Sequence, residues 1–338
     1  MLRYIVAGVL CAARLAAATP VWGIGYNFPA NVSQIHTDLK QIQAASFTSI
    51  RTNDVLIETP QGLLNTIVLA AEHNLTISVA LPIHDASAFA RALKEVIFGA
   101  SLAPTGLRSV YLGQYPPLHS LRPDWLTFLE TARTSLRQAQ LGRVPVGLLQ
   151  TDTALLAHAP VVATCDLVGA VVQPCFNLPS AASVSDGISS LQRRLDALSN
   201  AFGDKVDVAA TGWPTTERFT VHAPFGVVAA AQYFAAVRAR NEPVFYEAFR
   251  DNSSFDFSLT RDGKWKFDVR LPVQITTKPP VPATTAGSNS TTEQSGNCSV
   301  LVVCLTLLAI LSIYANLVMI TAFQKPNTTH HFFTVQTE

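Results

Sequence analysis

Apolar runs of strand length alternate with amphipathic helical patterns along residues 19–272, and this alternation constrains the fold more than any other feature of the chain. The run Val21–Asn27 precedes the stretch Ser33–Ser46, whose apolar positions recur at helical spacing. The alternation continues to Pro243–Asp251 and yields eight strands. Strands that alternate with helices form a parallel sheet, and eight such units in ~250 residues predict a closed (β/α)8 barrel, the TIM-barrel class of α/β fold.

Several individual elements follow from the same patterns. We expect helices over Gln61–Asn74 and Ser183–Phe202, and a strand over Lys205–Trp213. The dipeptide Asp262-Gly263 predicts a short terminal hairpin after the last barrel strand.

Composition excludes several classes of protein. Charged residues make up only 14% of the chain and the formal net charge is +1, which excludes a nucleic-acid binder that works through a basic field. High hydrophobic content excludes a disordered chain, and five cysteines in this length exclude a disulfide scaffold. A strand between Cys165 and Cys175 would hold them roughly 30 Å apart, so both are expected to be buried small apolar residues.

Both ends of the chain carry targeting patterns. Residues 1–18 place a basic residue, Arg3, before a short apolar core and small residues after it, which is typical of a secretory signal peptide. An uncleaved N-terminal helix is the alternative. Residues 300–323 contain no charged side chain and are long enough to span a bilayer, which predicts a transmembrane helix. A buried core helix and a cleaved lipid-anchor signal are the alternatives.

These ends predict a domain order and a location. Residues 19–272 form the barrel, residues 273–299 are a linker rich in Ser, Thr and Pro, and residues 324–338 are a short cytoplasmic tail. The expected location is the cell membrane, as a single-pass type I protein with an extracellular barrel. Sites for N-glycosylation fit this topology because all lie on the outer side: Asn31, Asn74, Asn252, Asn289 and Asn297.

The predicted strand ends favour a sugar ligand. Chemistry in such barrels lies at the carboxyl ends of the strands, and here those ends are rich in amides, aromatic rings and carboxylates. Sugar hydroxyls hydrogen-bond to amides and carboxylates, and pyranose faces stack on rings. The histidines show no metal-ligand spacing, and no metal or other cofactor is expected.

At this point the chain resembles a known family. Ala210-Thr-Gly-Trp-Pro-Thr215 resembles the seventh-strand signature E-[ST]-G-W-P-[ST] of family 17 glycoside hydrolases, the β-1,3-glucanases. Gly23-Ile-Gly-Tyr26 resembles the family's opening G-x-x-Y strand, and F-Y-E-A-F at residues 245–249 resembles its eighth-strand F-E-A-F. The matches cover residues 21–267. The resemblance implies a retaining β-1,3-glucan hydrolase barrel.

The two catalytic positions that the resemblance implies hold no carboxylate. Ala210 stands where the family has its nucleophilic Glu, and Tyr115 stands where the family has the Glu of G-N-E, the general acid. The usual R-x-Y of the second strand reads Arg51-Thr-Asn53. Retaining hydrolysis needs two carboxyl groups ~5–5.5 Å apart, and a methyl group cannot attack while a phenol of pKa ~10 is a poor acid. We therefore predict that both catalytic glutamates, and hydrolysis with them, are lost while the cleft persists.

Other carboxylates offer weak substitutes for the missing pair. They are Glu217 in a loop, Glu247 in the eighth strand, and Asp54 and Asp251 on the rim. Substrate-binding residues predicted from the strand ends are Tyr26, Asn53, Gln114, Tyr115, Gln173, Trp213 and Glu247. For the rings of Trp213 and Tyr26, packing at the barrel mouth is the alternative to sugar stacking.

Three functions remain open from the sequence. The first is a catalytically silent surface protein that binds or senses β-1,3-glucan or a related cell-wall polysaccharide. The second is an active β-glucan hydrolase or transglycosylase with relocated carboxylates. The third is an adhesion or decoy protein that uses the barrel only as a scaffold. No nucleic-acid partner is expected.

Overall fold

The structure of the protein is a computed structural model that describes residues 21–114, 124–179, 182–216, 225–240, 242–250 and 256–270. Its strands are β1 (Trp22–Gly25), β2 (Ser49–Thr52), β3 (Leu56–Thr59), β4 (Gly62–Asn65), β5 (Thr76–Leu81), β6 (Leu107–Leu112), β7 (Val146–Thr151), β8 (Leu167–Val171), β9 (Val206–Thr211), β10 (Val244–Tyr246), β11 (Thr260–Arg261) and β12 (Lys264–Trp265). Its α-helices are α1 (Val32–Ala44), α2 (Thr66–Glu72), α3 (Ala86–Leu102), α4 (Trp125–Gln138), α5 (Asp152–Ala157), α6 (Ala159–Val162), α7 (Val184–Phe202) and α8 (Val227–Arg238).

Eight of these strands form the predicted closed barrel. Their order around the barrel is β1-β10-β9-β8-β7-β6-β5-β2, and every neighbouring pair is parallel. The barrel closes because β1 pairs with β10 on one side and with β2 on the other, with Gly23 opposite both Phe245 and Ser49. All eight carboxyl ends therefore point to one mouth, as the alternating pattern predicts.

The largest departure from the predicted elements lies at residues 61–74. The sequence predicts one helix there, but the structure has the antiparallel hairpin β3–β4 followed by the shorter helix α2. Helix α2 begins after Asn65, whose side-chain oxygen caps it by accepting a hydrogen bond from Ile67 N at 3.0 Å. The side-chain amide of Asn65 also donates to Glu95 O at 2.9 Å. An N-cap satisfies backbone donors that would otherwise be orphaned, so it fixes where a helix begins.

The helix predicted at Ser183–Phe202 is confirmed as α7. Ser183 Oγ accepts from Asp186 N at 3.3 Å, and Asp186 Oδ2 accepts from Ser183 N at 2.7 Å. This reciprocal capping box satisfies donors at the first turn and sets the start of the helix. The terminal hairpin around Asp262-Gly263 is also confirmed, as β11 and β12.

A polar network occupies the amino-terminal end of the barrel. Arg108, near the start of β6, donates to Asp207, near the start of β9, from Nη1 at 2.6 Å and from Nη2 at 2.9 Å. Tyr111 Oη donates to the same carboxylate at 2.9 Å. Burial and the neighbouring carboxylate raise the pKa of Tyr111. The network fills this end of the barrel with paired groups.

The two cysteines beside β8 are buried and free. Burial raises the pKa of Cys165 to about 11 and that of Cys175 to about 12. Both are therefore thiols at neutral pH and pack as small apolar groups, as predicted.

The predicted end segments fall outside the described residues. These are the signal peptide at 1–18, the linker at 273–299, the transmembrane helix at 300–323 and the tail at 324–338. Among the residues that the structure does describe, none of the helices has both the length and the apolar content to cross a bilayer.

A histidine pair between α1 and α2 predicts a loss of stability in mild acid. His36 Nδ1 and His73 Nε2 lie 2.8 Å apart, so the two facing nitrogens share one proton. Burial, followed by the charges of His36 and Lys40, lowers the pKa of His73, and Glu72 opposes this. Unfolded His73 regains its ordinary pKa of ~6.5, so below that pH the unfolded state binds more protons and the free energy of unfolding falls.

Urea unfolding at about pH 7.5 and about pH 5.5 checks this expectation. The free energy of unfolding should fall more between the two pH values in the wild type than in His73→Gln, which has no titrating ring. An equal fall in both proteins would contradict the role given to His73.

Candidate active site

The mouth of the barrel holds a buried ion pair. Glu247 follows the last residue of β10, and Arg51 Nη2 donates to its Oε2 from β2. The two side chains are only 7% and 3% exposed. Strand β1 lies between β2 and β10, and its Gly25 lets the pair form: a Cβ there would lie 2.6 Å from Glu247 Oε2. The missing side chain at Gly25 is therefore what admits the carboxylate into the barrel.

Ala210 lies near the carboxyl end of β9, the strand next to β10. It is fully buried, and the next residue, Thr211, accepts from Glu247 N at 2.6 Å through its backbone oxygen. The pairing of β9 shifts register on both sides near this point, so Ala209 and Ala210 both join one apolar cluster with Tyr111. Where the family resemblance implies a nucleophile, the barrel wall consists of methyl groups.

Trp213 packs into the wall around the mouth. Its side chain is fully buried, with the ring 5.1 Å from that of Tyr233 and 6.4 Å from that of Phe225 between centroids. On α7, Gly187 provides the space: a Cβ there would meet the indole at 2.3 Å. The ring faces α7 and α8, which corresponds to the packing alternative, and it presents no face to a sugar in this structure.

Trp213→Phe is therefore expected to act on stability and not on ligand affinity. Loss of the larger ring from a packed site should lower the free energy of unfolding by about 1–2 kcal/mol, because core truncations leave unfilled volume. Chemical denaturation measures the loss, and titration of the folded variant measures affinity. A folded variant with wild-type stability and weakened sugar binding would contradict this assignment.

Tyr26, like Trp213, packs within the protein. Its Oη donates to Asp38 Oδ2 at 3.0 Å, and its ring makes edge contacts with Phe28 and Phe249 at 4.5 and 5.6 Å between centroids. Burial, followed by the charge of Asp38, raises the pKa of Tyr26. Arg250 completes the group, donating from Nε and Nη2 to Asp38 at 2.8 and 2.6 Å. This cluster ties the ends of β1 and β10 to α1, so Tyr26 supports the rim from inside.

The polar residues predicted at the strand ends lie at the mouth. Asn53 follows β2, Gln114 follows β6 and Gln173 follows β8, and each is half-buried. Asp54 lies beside Asn53, and burial raises its pKa while hydrogen bonds from Phe28 and Thr52 oppose the rise. These groups follow the carboxyl ends of their strands, where the sequence predicts a polar rim.

Some predicted residues lie outside the described part of the chain. They are Tyr115, Glu217, Asp251 and the glycosylation sites Asn252, Asn289 and Asn297. Of the described sites, Asn31 is exposed and its side chain accepts from Gln34 N at 3.1 Å, and Asn74 is exposed after α2. Within the described residues, no group of three or more His, Cys, Asp or Glu side chains is arranged to hold a metal ion.

Two features of the site were missed by sequence reasoning. The partners Arg51 and Glu247 are 196 residues apart, and the group of Tyr26, Asp38 and Arg250 spans 212 residues from Asp38 to Arg250. The sequence signals for the first pair are Gly25, which leaves room for the carboxylate, and the family-like segments Arg51-Thr-Asn53 and F-Y-E-A-F, which name the two partners without pairing them.

Comparison with known proteins identifies the fold. No protein-family model matches the chain, and no curated protein matches it by sequence. The glycoside hydrolase family 17 β-1,3-glucanosyltransferase of Rhizomucor miehei is similar in structure, with a TM-score of 0.54 at 15% identity, over 72% of this chain and 97% of that one. An active-site mutant of that transferase in complex with laminaritriose gives 0.53 at 15% identity, over 72% and 96%.

A β-glucuronidase from Ruminococcus gnavus is also similar, with a TM-score of 0.50 at 10% identity, over 74% of this chain and 49% of that one. At such identities the likeness shows the fold alone, an eight-strand parallel α/β barrel of the kind found in glycoside hydrolases.

Proposed function

We propose that the mouth of this barrel binds β-1,3-glucan or a related cell-wall polysaccharide without hydrolysing it. The proposal rests on two side chains at the mouth. The residue near the end of β9 is Ala210, and the carboxylate of Glu247, on the adjacent strand end, is ion-paired with Arg51. A site built this way keeps hydrogen-bonding groups for hydroxyls and has no nucleophile at the position where the resembling family carries one.

The chemistry of the pair supports binding over turnover. Retaining hydrolysis divides its work between one carboxylate that attacks and one carboxylic acid that donates a proton. Glu247 accepts a hydrogen bond from Arg51, so in this pair it acts as an acceptor. Affinity for a saccharide chain comes from many contacts along the cleft, so it does not require the missing nucleophile.

The choice of glucan rests on the resemblance and on the structural neighbours. The Rhizomucor miehei transferase acts on β-1,3-glucan by its name, and its mutant binds laminaritriose. We therefore propose that the ligand of this chain is a β-1,3-linked glucan. The signal peptide and transmembrane helix predicted from the sequence would place the barrel at the cell surface, where such polysaccharides are met.

A relocated pair of carboxylates is the second candidate function. Burial raises the pKa of Asp54, which is the direction that suits a proton donor, and Glu247 would then be the nucleophile. Under this hypothesis the protein hydrolyses glucan, and Asp54→Asn abolishes the activity. The non-catalytic proposal expects no activity for either protein.

Titration calorimetry of the full-length protein with β-1,3-gluco-oligosaccharides tests the proposal. We expect a dissociation constant on the order of 10 µM to 1 mM, equivalent to roughly −4 to −7 kcal/mol. Cello-oligosaccharides of equal length control for linkage. The absence of heat with any β-glucan oligomer at millimolar concentration would overturn the proposal and favour the scaffold function.

A further inference from the structure

A polar cleft of about 760 Å³ opens beside the mouth. Its walls come from the loop after β1, the segment after β10 and the terminal hairpin, and include Asn27, Phe28, Arg250, Arg261, Asp262 and Lys266. The volume lies within the range of small-molecule sites in proteins. Phe28 follows Gly25 by three residues and Arg250 follows Glu247 by three, so the cleft lies after the ends of the same two strands that flank the ion pair.

The back wall of the cleft is held rigidly. Lys266 is only 4% exposed, and its ammonium donates to Asp256 at 2.8 and 2.9 Å, to Ser258 at 2.8 Å and to Thr215 at 2.6 Å. These bonds fix the terminal hairpin to the segment that follows β9. A site supported by such contacts loses little conformational entropy when a ligand binds.

Two arginines supply donors to the cleft. Arg250 donates to Asp38 through Nε and Nη2, which leaves its Nη1 for a ligand. Arg261 is 65% exposed, and the carboxylate of Asp256 is 3.7 Å from its Nη2, beyond hydrogen-bond distance. A guanidinium is a fixed fork of donors, which suits oxygen-rich ligands.

The charges around the cleft identify the class of ligand. Arg250 is ion-paired with Asp38, and Lys266 is ion-paired with Asp256. Arg261 is 3.7 Å from Asp256, and the acidic Asp262 also lines the cleft. A phosphate or polyanion site would carry an excess of positive charge. Balanced charge, available donors and one half-buried ring, Phe28, instead suit a neutral polyhydroxylated ligand.

We infer that this cleft is a second saccharide subsite, in which Phe28 contacts a sugar face and Arg261 binds hydroxyls of a chain that continues from the mouth. This inference rests on the proposed function and extends it, because it requires the ligand to be a polymer. Long oligosaccharides occupy both sites, and short ones occupy the mouth alone.

Titration of the full-length protein with β-1,3-gluco-oligosaccharides of two to six units tests the inference. In the wild type we expect affinity to rise about tenfold from the shortest to the longest oligomer. Phe28→Ala should remove most of that rise and leave the shortest oligomers unaffected. Because Phe28 also contacts Tyr26, the exposed variant Arg261→Ala provides a second test that leaves the core intact.

Phe98→Ala is the matched control, since Phe98 is 54% exposed on α3, away from the cleft. It should bind every oligomer as the wild type does. If the wild type binds and the rise with chain length survives in both Phe28→Ala and Arg261→Ala, the second subsite is refuted while the proposed function stands. If no oligomer binds the wild type, both are refuted.

Discussion

Purified full-length protein is expected to hydrolyse laminarin-type β-1,3-glucan at a rate at least about 10³-fold below the ordinary enzyme turnover of ~10 s⁻¹. The physical reason is the mouth itself, where Ala210 offers a methyl group and Glu247 is ion-paired with Arg51. Catalytic groups that act as one unit do not leave half the activity when one is absent. Release of reducing sugar, measured over hours, gives the rate.

Two variants sharpen this expectation. Glu247→Gln removes the mouth carboxylate, and Asp54→Asn removes the rim carboxyl whose pKa is raised by burial. Any trace of sugar release should be the same in the wild type and in both variants. Turnover near 10 s⁻¹ in the wild type that disappears in either variant would establish relocated catalysis.

Breaking the ion pair at the mouth is expected to cost about 3–5 kcal/mol of stability. In Arg51→Met, Glu247 keeps a carboxylate in a site where it is only 7% exposed, and it loses its ion pair with Arg51. The double variant Arg51→Met, Glu247→Leu removes both charges, so it should regain most of the loss. Chemical denaturation of Arg51→Met, Glu247→Leu and the double variant, each compared with the wild type, gives a double-mutant cycle.

The exposed residue Arg261 serves as the control for this cycle. Arg261 and Asp256 are 3.7 Å apart and Arg261 is 65% exposed, so Arg261→Met should change stability by about 1 kcal/mol or less. If Arg51→Met costs no more than this control, or if the double variant is as unstable as the single one, the pair is not the buried unit described above.

The barrel follows from the sequence because its signals are local and repeated. Each strand and helix has its own apolar period, and the capping box at Ser183 and Asp186 fixes the start of α7 from adjacent residues. The hairpin β3–β4 was not predicted from the sequence because its residues share an apolar pattern with the helix that follows. What separates them is the cap at Asn65, whose donor reaches Glu95 on another helix.

The site was less predictable because its contacts are distant in sequence. The strand ends indicate which residues reach the mouth, and Asn53, Gln114 and Gln173 do lie there. Whether an aromatic ring faces the cleft or the wall depends on tertiary packing. Trp213 turns toward Gly187 and Tyr233 because that space exists between the barrel and its helices.

Recovery of an intact bound oligosaccharide is the most direct test of the central claim. The full-length protein would be held for about one day with β-1,3-glucohexaose above the expected dissociation constant, on the order of 1 mM. Ultrafiltration and mass spectrometry would then identify the retained and free sugars. We predict that the hexaose is retained by the protein and recovered whole, whereas shorter products, or no retention of any sugar, would contradict binding without turnover.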